Sequence, residues 1–280
     1  MIKPIYPCLW FDGQAKEAAE FYCSLFQRAA ITAETPMVVT FELNGMKFMG
    51  LNGGPHFKFN PAISIFVTCT SVSEIDDLWS RLTIGGKILM PIDNYPWSER
   101  YGWAQDKYGL TWQLFIAETA DAEQKITPCL LFTQQQFGRA EEAICFYSSV
   151  FDNSSTQTLV HYPQGDANEG KVMFSEFKLA DYAIIAMDGP GEHAFSFNEA
   201  FSFVVSCETQ DVIDYYWNKL TEGGQEVQCG WLRDKFGISW QIIPSVLPAL
   251  MRDPEKAEKV TQAFMQMKKL DIATLLKAVS

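Results

Sequence analysis

Trp103 and Gln105 stand two residues apart in one copy of a repeated segment, and Trp231 and Arg233 stand at the same spacing in the other. In a strand that spacing puts both side chains of each pair on one face. An indole beside an amide or a guanidinium can stack on a flat ligand and fix one of its polar groups, and Arg233 suits a carboxylate or phosphonate. The competing reading makes both tryptophans core residues and pairs Arg233 with an exposed carboxylate. Gln113 and Gln241 close matching apolar segments and are further candidates. The chain has three histidines. His56 and His193 precede equivalent segments, one residue out of register. They read as rim histidines in loops, or alternatively as general bases or ligand contacts, because imidazole titrates in the useful range. His161 reads as a surface residue. Cys8 and Cys129 occupy matching strand positions and read as small buried apolar groups. The seven cysteines form no CxxC pair, which fits reduced thiols in a cytoplasmic protein.

The elements that must position these residues come in duplicate. Pro7-Cys8-Leu9 returns as Pro128-Cys129-Leu130, and the segment Gly13 to Tyr22 returns as Gly138 to Tyr147. Phe59-Asn60-Pro61-Ala62-Ile63-Ser64 returns as Phe197-Asn198-Glu199-Ala200-Phe201-Ser202. Trp79 to Gly86 returns as Trp217 to Gly224, and Asp106 to Gln113 as Asp234 to Gln241. All blocks keep their order, so the chain is a tandem duplication. Modules at 1–120 and 121–248 with a helical tail at 249–280 are expected.

Periodicity predicts a strand over Ile5–Phe11 and a helix over Gln14–Phe26 with Ala15, Ala18, Ala19, Tyr22 and Phe26 on one face. It predicts strands over 38–43 and 46–51 about the Asn44-Gly45 turn, a strand over 63–68 and a helix over 73–82. Strands over 87–90, 102–105 and 111–116 follow. Each module is thus βαβββ twice. The additional residues around Leu89–Arg100 in the first copy and Tyr162–Gly170 in the second are expected as surface loops. Asp253-Pro254 opens a tail helix, and the apolar stripe running to Val279 must be covered by its own modules or by a second chain.

The 280-residue length suits two domains. A net charge of -12 disfavours nucleic acid and anionic membranes. No apolar run is long enough to cross a bilayer, and Met1 to Tyr6 shows no signal-peptide pattern.

Asp12-Gly13-Gln14-Ala15, Phe21-Tyr22, Gly53-Gly54-Pro55-His56 and Asp106 to Gln113 resemble the PhnB-like members of the vicinal-oxygen-chelate, or glyoxalase/bleomycin-resistance/dioxygenase, superfamily. Gly230 to Gln241 and the tail from Asp253 to Ile272 carry the same resemblance. It implies an α+β tandem fold in which the two βαβββ units of each module form one curved mixed sheet around a hollow, with Gln113 and Gln241 facing inward. It also implies where a divalent ion sits in metal-dependent relatives, on His and Glu of the first, fifth and last strands. Those strands here offer Cys8, Ser64 and Gln113, or Cys129, Ser202 and Gln241, so no catalytic metal and no other cofactor is expected. Some relatives are named for ubiquinone methylation, yet no strand, Gly-rich loop and helix unit for S-adenosylmethionine is present. The expectation is a protein binding a small-molecule ligand. A metal-independent isomerase, lyase or transferase and a protein-binding scaffold are the alternatives. The chain is expected as a monomer, its modules forming an internal pseudo-dimer, or as a homodimer through the tail.

Overall fold

The computed structural model describes residues 5–117 and 124–279. The start Met1–Pro4 and the expected module boundary at 120 and 121 lie outside the described residues. The chain runs as four βαβββ units. The first comprises β1 (Tyr6–Phe11), α1 (Ala15–Leu25), β2 (Ala29–Glu34), β3 (Val38–Leu43) and β4 (Met46–Asn52). The second comprises β5 (Ile63–Cys69), α2 (Val72–Leu82), β6 (Lys87–Tyr95), β7 (Ser98–Gln105) and β8 (Thr111–Ile116). The third comprises β9 (Ile126–Phe132), α3 (Ala140–Val150), β10 (Ser155–His161), β11 (Val172–Leu179) and β12 (Tyr182–Asp188). The fourth comprises β13 (Phe201–Cys207), α4 (Gln210–Thr221), β14 (Gln225–Glu226), β15 (Trp231–Arg233) and β16 (Ser239–Pro244). Three tail helices follow: α5 (Leu247–Leu250), α6 (Pro254–Phe264) and α7 (Ile272–Lys277).

The sheets correct the expected architecture. No module forms a curved sheet of its own. One open sheet has the order β14-β15-β16-β13-β1-β4-β3-β2, the other β10-β11-β12-β9-β5-β8-β7-β6. Each therefore joins one unit of the first module to one unit of the second, and each keeps two free edges rather than curling shut. The joints are antiparallel: Cys8 faces Ser202 where β1 meets β13, and Cys129 faces Ser64 where β5 meets β9. Side-chain alternation reports which face a residue takes, not which strand lies beside it, so exchange between modules leaves the sequence pattern unchanged.

The main core lies on the helix side of both sheets. Ala15, Ala18, Ala19 and Tyr22 of α1, Ala140, Ala143 and Tyr147 of α3, and Trp112 and Trp240 of the last strands all belong to it. Two buried carboxylates lock it. Asp106 Oδ2 accepts from Tyr22 Oη and Trp112 Nε1, both at 2.8 Å, while Oδ1 accepts from the backbone N–H of Tyr108 and Leu110. Asp234 does the same with Tyr147, Trp240, Phe236 and Ile238. Since α1 packs on the β1 sheet while the turn bearing Asp106 belongs to the β5 sheet, each carboxylate fastens one sheet to the other. Asn60 Nδ2 donates to the Ser196 carbonyl and Asn198 Nδ2 to that of Lys58, both at 2.9 Å, a reciprocal clasp between the copies.

The expected loop at Leu89–Arg100 is instead the end of a long hairpin. β6 and β7 continue through it and turn at Pro96-Trp97. Pro91 is tolerated because β6 is an edge strand, where a missing N–H breaks no inner ladder. The fourth unit has only the stub β14–β15 there. The tail helix opens as expected, with the Asp253 carboxylate accepting from Glu255 N–H. The tail's apolar groups pack on the β1 sheet of their own chain.

Candidate functional site

Helices α1 to α4 cover one face of each sheet. On the other, helix-free face of the β5 sheet, Gln113 is buried and its amide is fully engaged. Its Oε1 accepts from Tyr101 Oη at 2.6 Å, and its Nε2 donates to Ser64 Oγ at 2.8 Å and to Cys129 Sγ at 3.6 Å. Tyr101, Ser64 and Gln113 come from the first module and Cys129 from the second, so the exchange of units assembles this polar floor. Phe66, Phe115, Phe174, Ile185, Met90, Met187, Tyr95 and Trp103 pack over and around it. Trp103 stands opposite Gln113 in the β7–β8 register. Its indole Nε1 is buried with no hydrogen-bond partner. A buried donor without an acceptor costs about 1–3 kcal/mol, so this group is poised to gain from one. At the hairpin tip, Tyr95 and Trp97 stack at 5.1 Å, and Tyr101 meets each edge-on at 5.6 and 5.8 Å.

The corresponding face of the β1 sheet repeats the floor. Gln241 Nε2 donates to Ser202 Oγ at 3.0 Å, next to Cys8, with Tyr6 beside them. Its cover is different: Leu247, Phe264, Met267 and Leu270 of the tail lie on it.

The remaining candidates scatter. Gln105 Nε2 donates to the Gly109 carbonyl and closes the β7–β8 turn. Trp231 packs edge-on against Trp10 at 5.9 Å. Arg233 is exposed, donates to Gln225 Oε1 at 2.6 Å and lies 4.0 Å from Glu199. His56 is exposed in a loop. His193 is half-buried, with Nε2 3.0 Å from the Pro190 carbonyl oxygen and its ring tilted on Phe195. The structure thus brings Gln113 and Trp103 together and leaves His56, His193, Gln105 and Arg233 apart from them. Tyr101, Phe174 and Met187 escaped the sequence reading. Tyr101 lies two residues before Trp103, a strand spacing that was visible had β7 been extended towards Ser98.

The floor does not suit a catalytic divalent ion. Burial pushes the Cys8 and Cys129 thiols up to about 12, against weaker pulls from their Gln and Ser neighbours. Each set therefore offers a thiol, a hydroxyl and a neutral amide, already hydrogen-bonded together, where such an ion needs anionic or imidazole ligands. No group of three or more His, Cys, Asp or Glu among the described residues could hold a metal ion. Burial also raises the Tyr101 phenol, so no group in the floor is a base at neutral pH.

A separate cavity of about 540 Å³ lies where the β3–β4 and β11–β12 turns approach the starts of β1 and β9. Tyr6, Met46, Lys47, Gln124, Lys178 and Tyr182 are among its lining residues, and none of the sequence candidates is.

Residues 3–115 and 124–243 match the model of the family described as 3-demethylubiquinone-9 3-methyltransferase. The chain belongs to this family. Within it the chain is PhnB-like, of the vicinal-oxygen-chelate superfamily, with two similarly folded modules in tandem. The PhnB protein from Bacillus cereus is 40% identical over 41% of this chain and 100% of its own, with a TM-score of 0.39. Glyoxalase I from Zea mays is 11% identical, covering 90% of this chain and 96% of its own with a TM-score of 0.60, a likeness of fold alone. No curated protein matches the chain. No helix among the described residues is long and apolar enough to cross a membrane.

Proposed function

We propose that this family member binds a small, largely apolar molecule on the helix-free face of the β5 sheet, without a catalytic metal. One observation carries the reading: the Trp103 indole N–H lies buried and unpartnered opposite the Gln113 floor, among methionine and aromatic side chains that can move aside. Binding is favoured over catalysis because the floor's thiol and phenol are both held protonated. The methyl transfer in the family's name draws no support from the element order, which lacks a strand, Gly-rich loop and helix unit among the described residues. Binding needs no partner chain, since both modules contribute to the face.

A metabolite-library thermal-shift screen tests this, because a ligand raises the melting temperature by mass action. Trp103→Phe is the companion variant. Removing the unpartnered donor returns about 1–3 kcal/mol, which offsets the packing lost with the smaller ring, so stability should change little while the ligand-induced shift shrinks. A screen with no hit, or a hit indifferent to Trp103→Phe, defeats the reading. The second reading places the ligand in the 540 Å³ cavity, where the buried Tyr182 hydroxyl has no partner. Tyr182→Phe would then shrink the shift instead.

A further inference from the structure

The tail does more than end the chain. On the β1 sheet it is seated by two backbone hydrogen bonds, from Cys229 N–H to the Met267 carbonyl and from Gly230 N–H to that of Lys268, both 2.7 Å. Gln210 holds the next turn, donating to the Leu270 carbonyl and accepting from Ile272 N–H at 2.9 Å. Lys269 pairs with Asp214 at 2.8 Å and Lys268 with Glu226 at 3.5 Å. Leu270 is 1% exposed. Gly230 has φ +83°, and a Cβ there would meet the Ile242 carbonyl oxygen at 2.9 Å and Leu270 Cδ1 at 3.1 Å. The backbone is thus shaped to let the tail approach. By the repeat, Cys229 and Gly230 correspond to Tyr101 and Gly102, so the tail takes the place that the long β6–β7 hairpin holds on the other sheet.

We infer that the tail is a built-in occupant of the β1-sheet face, which leaves the β5-sheet face as the only one of the pair open to a ligand, one per chain. This rests on the binding reading above and deepens it. The tail also shows what such a face accepts. Phe264, Met267 and Leu270 are neutral, one aromatic and two aliphatic, and they sit on a floor of the same Cys, Ser and Gln composition. The ligand of the β5-sheet face belongs to the same class: neutral, apolar and aromatic, with one acceptor for the Trp103 indole.

Cys8 and Cys129 are matched reporters. Both are 1% exposed, and both thiols are pushed up to about 12 by burial. Their alkylation rates therefore differ through access alone. Reaching Cys129 needs side-chain rotations, whereas reaching Cys8 needs the tail to undock. Alkylation of the full chain with N-ethylmaleimide, read by peptide mass mapping, should label Cys129 at least about tenfold faster than Cys8. The neutral fluorophore 6-propionyl-2-(dimethylamino)naphthalene, whose ketone oxygen can accept from the Trp103 indole, should bind at one equivalent and protect Cys129 only. The variant carrying Phe264→Asp and Leu270→Asp should bring Cys8 labelling up to the Cys129 rate and raise the probe to two equivalents. Equal labelling in the unaltered chain overturns the stopper role. Two equivalents that protect both thiols overturn it while sparing the binding reading. Binding that protects neither thiol overturns both and points to the cavity between the turns.

Discussion

The faces of the two sheets turned away from α1 to α4 share a polar floor and differ in their cover. Gln241, Ser202 and Cys8 repeat Gln113, Ser64 and Cys129, strand for strand. Above them, one face carries the tail and the other the side chains of a longer hairpin. Duplication kept the part of the pattern that sets backbone pairing and let the cover diverge. Cover is the freer part, since an edge hairpin can lengthen or shrink to a stub without disturbing the inner strands. A face covered by backbone-bonded chain behaves as core, whereas one covered by rotatable Met and aromatic side chains can yield to a guest.

The comparison is sharpened first where the halves are alike. Asp106→Ala and Asp234→Ala each strand a phenol, an indole and two backbone N–H groups without an acceptor. Each should cost about 3–5 kcal/mol in denaturant unfolding, and by similar amounts. Burial raises both carboxyl pKa values, and the four hydrogen bonds only partly pull them back. A carboxyl raised on folding favours the fold fully below its unfolded pKa and ceases to do so as pH climbs through the folded value. Stability from these groups should therefore fall as pH rises through and above the ordinary carboxylate range. Asp234→Asn should flatten that part of the melting-temperature profile, and an unchanged profile would refute the assignment.

How much of this the sequence showed depends on the range of the interaction. The helices and the faces of β8 and β16 were readable because Ala15, Ala18, Ala19 and Tyr22 repeat at helical spacing and Trp112 and Gln113 alternate. The duplication was readable because five blocks recur in order. The exchange of units was not, since the pairing of Cys129 with Ser64 spans 65 positions and leaves no periodic trace. The cover of the β5 face was misread for a local reason. Pro91, Pro96 and Gly102 suggested a loop, whereas edge strands tolerate such residues. Among the site candidates, strand alternation pairs Trp103 with Gln105 and Trp231 with Arg233, yet it does not show which neighbours each side chain meets: Gln105 closes a turn and Arg233 turns to Gln225 and Glu199 in solvent. His56 rests on its chemistry alone, and chemistry does not fix position.

The next effect tests whether the tail is core. Leu270→Ala should cost about 2–5 kcal/mol, the range for deleting a buried leucine. The loss should appear as a lower denaturant midpoint, with amide exchange quickened at Gly230 and Ile272. A loss below about 0.5 kcal/mol, as for a surface residue, would mean the tail merely rests on the sheet, and the contrast between the faces would weaken.

The smallest expected effect on stability lies at the other cover. Trp97 is 56% exposed and stacks on Tyr95 at the hairpin tip. Trp97→Ala leaves the floor and both ladders intact, so its cost should stay within about 0.5 kcal/mol. An aromatic pair held this far in solvent gains little from burial, and its ring faces remain available. If the hairpin tip is the rim of the ligand face, the same change should lower affinity for 6-propionyl-2-(dimethylamino)naphthalene several-fold, because stacking on one ring is worth about 0.5–1.5 kcal/mol. Cys129 labelling should then be less well protected at a given probe concentration, with Cys8 labelling unmoved. Were affinity to hold while Trp97 is gone, the rim would have to be drawn closer to Trp103, with the hairpin tip acting only to tie β6 to β7.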